Sequence, residues 1–230
     1  MSTADLAARL AELAARLPAT TRLLAVSKGQ DAAAIRQAVA LGQRSFGESR
    51  LQEAQAKQEQ LADLGPLDWH FIGRLQANKA RGVLRHFDTI HSLDSLELAR
   101  RLQRIAAEEG LAPAVLFQLK LRPDPAKTGF SAAEFRQAWP ELRELAPLRP
   151  VGLMTIAPRG LDAKERQQLF QDCADLAAEH GLVELSMGMS GDWPEAVAAG
   201  STWVRLGTTL FGTRPGAGLA LGPEAPTNTA

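Results

Sequence analysis

The 230-residue sequence predicts an α/β fold, a single (β/α)8 TIM-type barrel of parallel strands with an extra N-terminal helix, spanning residues 1–214. Three observations predict it. Short apolar runs alternate with longer amphipathic segments along nearly the whole chain, which implies parallel strands joined by helices. Eight such runs can be counted, more than an open doubly wound sheet usually holds, and about as many as a closed barrel needs in a chain of this length. The first run is followed by no Gly-x-Gly-x-x-Gly turn, and no Walker sequence occurs anywhere, so the usual ligand loops of open nucleotide-binding sheets are missing.

Taken in order, the elements begin with Leu6, Leu10, Leu13 and Leu17 at helical spacing, with Arg9, Glu12 and Arg16 between them. That pattern predicts an amphipathic helix packed on a globular body. Strands are expected at 23–26, 44–47, 69–73, 89–91, 114–121, 151–156, 184–187 and 203–206. Helices are expected between them at 31–41, 50–64, 75–85, 95–109, 132–145, 161–180 and 193–199, most with apolar residues three and four apart. Asp31, Ser95 and Ser131 each precede a helical pattern as caps, and Glu134 gives Ser131 a capping-box partner. Residues 215–230, rich in Gly, Pro, Ala and Thr, carry too little periodic apolar content to pack and are expected to form a mobile tail.

Composition narrows the function by exclusion. Lys plus Arg and Asp plus Glu both number 26, so no net field favours nucleic acid or an anionic membrane. No stretch approaches the length needed to span a bilayer. The N-terminus has neither a basic leader nor an uninterrupted apolar core, and a soluble cytoplasmic protein is expected. Cys173 is the single cysteine, set among Leu169, Phe170, Leu176 and Ala177, and reads as a structural thiol in a reducing compartment. No His, Cys, Asp or Glu cluster has metal-ligand spacing, and no metal is expected.

The segment Ala25-Val26-Ser27-Lys28-Gly29-Gln30 places a lysine where an apolar run gives way to a polar turn. Apolar surroundings lower a lysine pKa and expose the neutral amine, which suits it to carry an aldehyde as a Schiff base. A lysine there also fits a strand's plain exit into solvent. At the far end of the chain, Leu185-Ser186-Met187-Gly188-Met189-Ser190 and then Val204-Arg205-Leu206-Gly207-Thr208-Thr209 join apolar stretches to small residues with hydroxyls and free backbone N–H groups. Such segments can wrap a phosphate, although small residues after a strand also serve as tight turns. In a barrel, functional groups gather at the carboxyl ends of strands, with phosphate held after the seventh and eighth. Closure sets the first strand beside the eighth, so Lys28, Ser190 and residues 207–209 would share one pocket. A phosphate grip with a strand-end lysine describes a site for pyridoxal 5'-phosphate (PLP).

The same residues carry a family resemblance. Ala25-Val26-Ser27-Lys28, Phe46-Gly47-Glu48, the run from Trp69 through Lys79, His91-Ser92-Leu93-Asp94, Gly152-Leu153-Met154-Thr155-Ile156, Leu185 through Ser190 and Arg205 through Gly212 together resemble the pyridoxal phosphate homeostasis family. The resemblance covers nearly the whole chain from Leu23 to Arg214. It implies a barrel similar to the N-terminal barrel of alanine racemase, with PLP on Lys28, phosphate contacts from Ser190, Gly207 and Thr208, and Arg205 facing the pyridine nitrogen. Met189 would touch the cofactor. A guanidinium has no acceptor, so Arg205 can only donate to that nitrogen and disfavours its protonated form. An unprotonated ring is a poorer electron sink, which suits a carrier.

The family usually has Phe-Gly-Glu-Asn-Tyr after the second strand, whereas this chain reads Phe46-Gly47-Glu48-Ser49-Arg50. Ser49 can hydrogen-bond but is shorter than Asn, leaving its contact with the cofactor lost or bridged by water. Other residues keep two readings. His70 and His91 could line the pocket or be bonded within their strands. Met154, Met187 and Met189 could touch the cofactor or fill the core. Asn78 and Lys79 are of open role, and Lys127-Thr128-Gly129 fits an anion loop or a solvated turn.

The function implied is that of a noncatalytic protein, expected as a monomer, that holds PLP as a lysine Schiff base in vitamin B6 homeostasis and could deliver it to PLP-dependent apoenzymes. The alternative is a PLP-dependent amino-acid racemase, or another PLP enzyme, on the same barrel. The resemblance to alanine racemase implies a second base that is a tyrosine from another domain, and this chain contains no tyrosine. A weak racemase-like activity using His70 or water is the residual form of that alternative.

Overall fold

Leu24, Ala25 and Val26 sink almost entirely from solvent in β1 (Arg22–Val26), the first staves of a computed structural model that describes residues 2–212. The other strands are β2 (Ser45–Glu48), β3 (Asp68–Phe71), β4 (Thr89–Leu93), β5 (Ala114–Leu119), β6 (Arg149–Thr155), β7 (Glu184–Ser186) and β8 (Trp203–Leu206). They form a closed barrel in sequence order, and all of their pairings are parallel. Closure pairs Leu24 with Arg205 and Ala25 with Leu206, which sets the exits of β1 and β8 side by side. The expected domain end at 214 and the tail at 215–230 lie outside the described residues.

Helices α1 (Thr3–Arg16), α2 (Ala32–Ala40), α3 (Leu51–Gln60), α4 (Ala80–His86), α5 (Leu96–Glu109), α6 (Ala132–Leu142), α7 (Ala163–Glu179), α8 (Trp193–Ala198) and α9 (Thr208–Phe211) accompany the strands. Their apolar stripes supply Leu6, Ile35, Leu102, Phe135 and Phe170 to the core around the barrel, where these side chains are fully buried. Val115, Leu116 and Phe117 are buried in succession on β5, as expected of a parallel strand covered on both faces. Ser131 and Glu134 form the expected capping box on α6, and Asp31 and Ser95 cap α2 and α5. The extra N-terminal helix, α1, is tied to the last one by Arg9, which donates to the carbonyl oxygens of Thr209 and Leu210. No helix among the described residues is long and apolar enough to cross a membrane.

Boundaries shift where local turns compete with the regular pattern. The helix expected at 50–64 ends at Gln60 and continues as a 3-10 turn, Ala62–Leu64. The one expected at 75–85 opens with another, Ala77–Lys79, since tighter turns are common at helix ends. The strand expected at 114–121 stops at Leu119 because Lys120 N–H turns to the Phe130 carbonyl at 2.8 Å.

Candidate functional site

The turn that carries Lys28 is clamped on both sides. Ser27, fully buried at the end of β1, donates its hydroxyl to Glu48 Oε1 at 2.7 Å. Lys57 Nζ donates to the Ser27 carbonyl at 2.8 Å, to Glu48 Oε1 at 2.7 Å and to Glu53 Oε1 at 2.7 Å. Glu53 in turn accepts the N–H of Gly29, which has a φ of 74° that a glycine adopts at no steric cost. Residues 27 and 29 are thus held by one charge cluster, buried at Glu48 and Lys57 and half-buried at Glu53, and Lys28 between them faces the adjacent cavity. Burial pushes the Glu48 carboxyl up, against the opposing pull of Lys57 and Ser27. Burial also acts upward on Glu53, but Lys57 and the Gly29 N–H outweigh it and hold that carboxyl down.

Sequence reasoning did not single out Glu48, Glu53 or Lys57 as functional. Glu53 and Lys57 stand four apart on α3, the spacing of an ordinary exposed pair. The missed signal is that Lys57 continues the line of Leu51 and Ala54, the buried face of that helix.

A cavity of about 320 Å³ opens at the carboxyl ends of the strands, lined among others by Lys28, Met189, Ser190, Arg205, Gly207 and Thr208. Its size lies at the low end for small-molecule sites. Six of the residues expected at a site are therefore brought together. Ser49 is not among those lining it: it is half-buried on the loop after β2, where a Cβ on Gly73 would come within 2.3 Å of its carbonyl oxygen. The Met189–Ser190 turn is shaped by Asp192, whose carboxylate accepts the Met189 N–H at 2.6 Å; burial raises its pKa. Ser190 Oγ accepts the Thr209 N–H at 3.3 Å, joining the two small-residue segments. A Cβ on Gly207 would approach the Val26 carbonyl oxygen to 3.2 Å, so the glycine keeps the floor of the cavity low where β8 leaves β1.

Arg205 is 4% exposed and donates to the Ser186 carbonyl, to Ser186 Oγ at 2.8 Å and to the Thr155 carbonyl at 2.9 Å. Burial pushes its pKa down to about 10, with Asp192 acting in the opposite sense. The guanidinium stays protonated at neutral pH.

The residues with two readings divide. Met154 and Met187 are buried and pack in the interior, while Met189 is 36% exposed at the cavity. His70 and His91 are bonded to each other in the barrel interior and are not among the residues lining the cavity. Lys127 and Thr128 border a separate, much smaller recess with Gln118, whose amide donates to the Thr128 carbonyl at 2.6 Å. Lys79 ends the 3-10 turn that also holds Asn78, away from the cavity. Cys173 is fully buried in α7, and burial raises its thiol to about 12.

Residues 1–215 match the family model of the alanine racemase N-terminal domain. A pyridoxal phosphate homeostasis protein of Synechocystis sp. is 49% identical over 209 residues, covering 88% of this chain and 96% of the relative. One from Escherichia coli K12 is 41% identical over 206 residues, covering 86% and 88%. The structure of PipY from Synechococcus elongatus with PLP bound is 53% identical, with a TM-score of 0.87 and coverage of 90% of this chain and 100% of that one. An alanine racemase of Clostridium difficile, 18% identical with a TM-score of 0.73, shares the fold over 92% of this chain and 57% of its own. The chain belongs to the alanine racemase N-terminal domain family and, within it, to the pyridoxal phosphate homeostasis proteins.

Proposed function

We propose that this chain binds PLP in the cavity at the carboxyl ends of β1, β7 and β8, covalently on Lys28, and serves PLP homeostasis without catalysing a reaction of its own. The observation that carries this reading is the convergence of Lys28, Ser190, Arg205, Gly207 and Thr208 on one cavity. The relatives' shared name and the PLP bound to PipY support it. The donor set fits the group: an amine, hydroxyls with a close-approaching glycine backbone, and a guanidinium line the same cavity.

PLP supplies an aldehyde that condenses with a primary amine and a ring that can accept electrons. Lys28 supplies the amine, on a turn that the Glu48–Lys57–Glu53 cluster keeps in place. Ser190, Gly207 and Thr208 would hold the phosphate, and Met189 would touch the cofactor. Arg205 can only donate, so it favours a ring nitrogen without a proton and weakens the electron sink. With no tyrosine in the chain and both histidines of the barrel interior engaged with each other, a racemase has no evident second base. The same reading makes the chain a cytoplasmic monomer that passes PLP to apoenzymes.

Equilibrium dialysis against PLP, followed by mixing the loaded chain with an apo PLP enzyme and assaying alanine racemisation separately, tests this proposal. Saturable one-to-one binding, recovery of the enzyme and no racemisation are expected. Absence of saturable binding, or sustained racemisation by the chain alone, would overturn it.

A further inference from the structure

An unbroken run of hydrogen bonds leads from the start of β3 to the cavity. Asp68 Oδ2 lies 2.6 Å from His70 Nε2, and His70 Nδ1 lies 2.7 Å from His91 Nε2. His91 Nδ1 lies 2.8 Å from Ser186 Oγ, which accepts from Arg205 at 2.8 Å. The strands β4 and β7 are not neighbours in the barrel, so the bond from His91 to Ser186 crosses its interior. His91 and Ser186 are wholly buried, and His70 and Arg205 are 2% and 4% exposed. Bulk water therefore cannot stand in for a missing partner.

The direction of the run follows from which groups can donate. Arg205 has no acceptor, so Ser186 Oγ accepts from it. The Ser186 hydroxyl hydrogen then goes to His91 Nδ1, which leaves the His91 hydrogen on Nε2. That hydrogen goes to His70 Nδ1, which leaves the His70 hydrogen on Nε2, aimed at the Asp68 carboxylate. Every hydrogen is used, as buried polar groups require. The opposite direction puts a hydrogen on His91 Nδ1, strands the Ser186 hydroxyl hydrogen and needs a doubly protonated His70.

The surroundings agree with the first arrangement. Burial, the largest cause, holds the His91 pKa well below its ordinary value of 6.5, and the Arg205 guanidinium acts in the same direction. Burial acts upward on Asp68, but His70, Ser45 and Arg22 outweigh it and favour the carboxylate, with Ser45 Oγ donating at 2.9 Å. Trp203 packs edgewise on His70 at 4.8 Å, and the Arg22 guanidinium covers the same indole at 4.0 Å. The hydrogen-bond partners of Arg205 itself are neutral oxygens of Ser186 and Thr155.

We infer that Asp68, His70, His91 and Ser186 form a one-directional hydrogen-bond relay that fixes Arg205 at the cavity, with His70 and His91 as positioning residues. The relay connects a carboxylate at the amino end of the barrel to the guanidinium at the carboxyl end. Each bond polarises the next in a low-dielectric interior, so removing an interior member loosens Arg205 although nothing in the cavity is changed. The effect on a bound pyridine ring rests on the function proposed above, whereas the relay itself does not.

Long-range nitrogen–proton correlation spectra of the full chain without PLP, at neutral pH, read the relay directly. Both His70 and His91 are expected as neutral Nε2–H tautomers, retained in Asp68→Asn, which keeps an acceptor oxygen, and lost at His70 in Asp68→Leu. An Nδ1–H tautomer or an imidazolium at His91 would overturn the relay. In a second arm, Ser186→Ala is expected to raise the PLP dissociation constant about tenfold and to shift the absorption maximum of the bound cofactor. Unchanged affinity and spectrum in Ser186→Ala would overturn the positioning role. If PLP did not bind the unmodified chain, the proposed function would fail, and the tautomer result would decide the relay alone.

Discussion

The ammonium of Lys57 donates to the carbonyl oxygen of Ser27 at 2.8 Å, so the residue that precedes Lys28 is fixed by a charge only 5% exposed to solvent. The same ammonium neutralises Glu48, which is wholly buried. Position and charge balance at this turn therefore depend on one side chain nine residues from Glu48 and thirty from Ser27 in sequence.

Replacing that side chain tests the dependence. Lys57→Met is expected to lose about 3–5 kcal/mol of stability at neutral pH, because it leaves Glu48 buried without its counter-charge. Adding Glu48→Gln should recover most of the loss. Burial raises the folded-state pKa of Glu48 above its ordinary value of 4.5, so the folded state takes up this proton first. Its contribution to stability is present below the ordinary value and is lost as pH rises through the folded one. The deficit of Lys57→Met should accordingly shrink as pH falls through that window. Urea unfolding at a series of pH values measures it, and a pH-independent deficit would contradict this account of Glu48.

Cys173 offers a probe of the core. Its thiol is fully buried and raised to about 12, so it should resist alkylation in the folded protein at pH 8 and react quickly in denaturant. The native labelling rate should follow the opening equilibrium and accelerate in Lys57→Met. Immediate stoichiometric labelling of the folded chain would show that α7 does not pack as described.

Gly152 tests the pairing of β6 with β7. A Cβ there would lie 1.9 Å from the Glu184 carbonyl oxygen, a backbone atom with little freedom to move. Gly152→Ala is expected to cost about 3 kcal/mol, read as a lowered midpoint in thermal or urea unfolding. A variant as stable as the parent would contradict the pairing of Gly152 with Glu184.

Much of this was legible in the sequence. Apolar runs separated by helical patterns marked all eight strands of the closed barrel, since strand burial on both faces writes itself as continuous apolar sequence. Closure then brought Lys28, Ser190 and Arg205 to one cavity. What stayed hidden is polar and long-range. His91 meets Ser186 across 95 positions, and no local pattern records such a pairing. Lys57 was obscured because its carboxylate partner four residues earlier imitates a surface pair. The position of Ser49 off the cavity depends on the path of a loop held against Gly73, which residue identity does not specify.

The central claim is that Lys28 carries PLP. Adding PLP to the purified chain, recording the absorption spectrum, reducing with borohydride and mapping the modified peptide by mass tests it most directly, with Lys28→Ala as control. The account predicts a new absorption band, label confined to Lys28 and none in the variant. No band and no adduct at Lys28, or equal labelling of the variant, would contradict it.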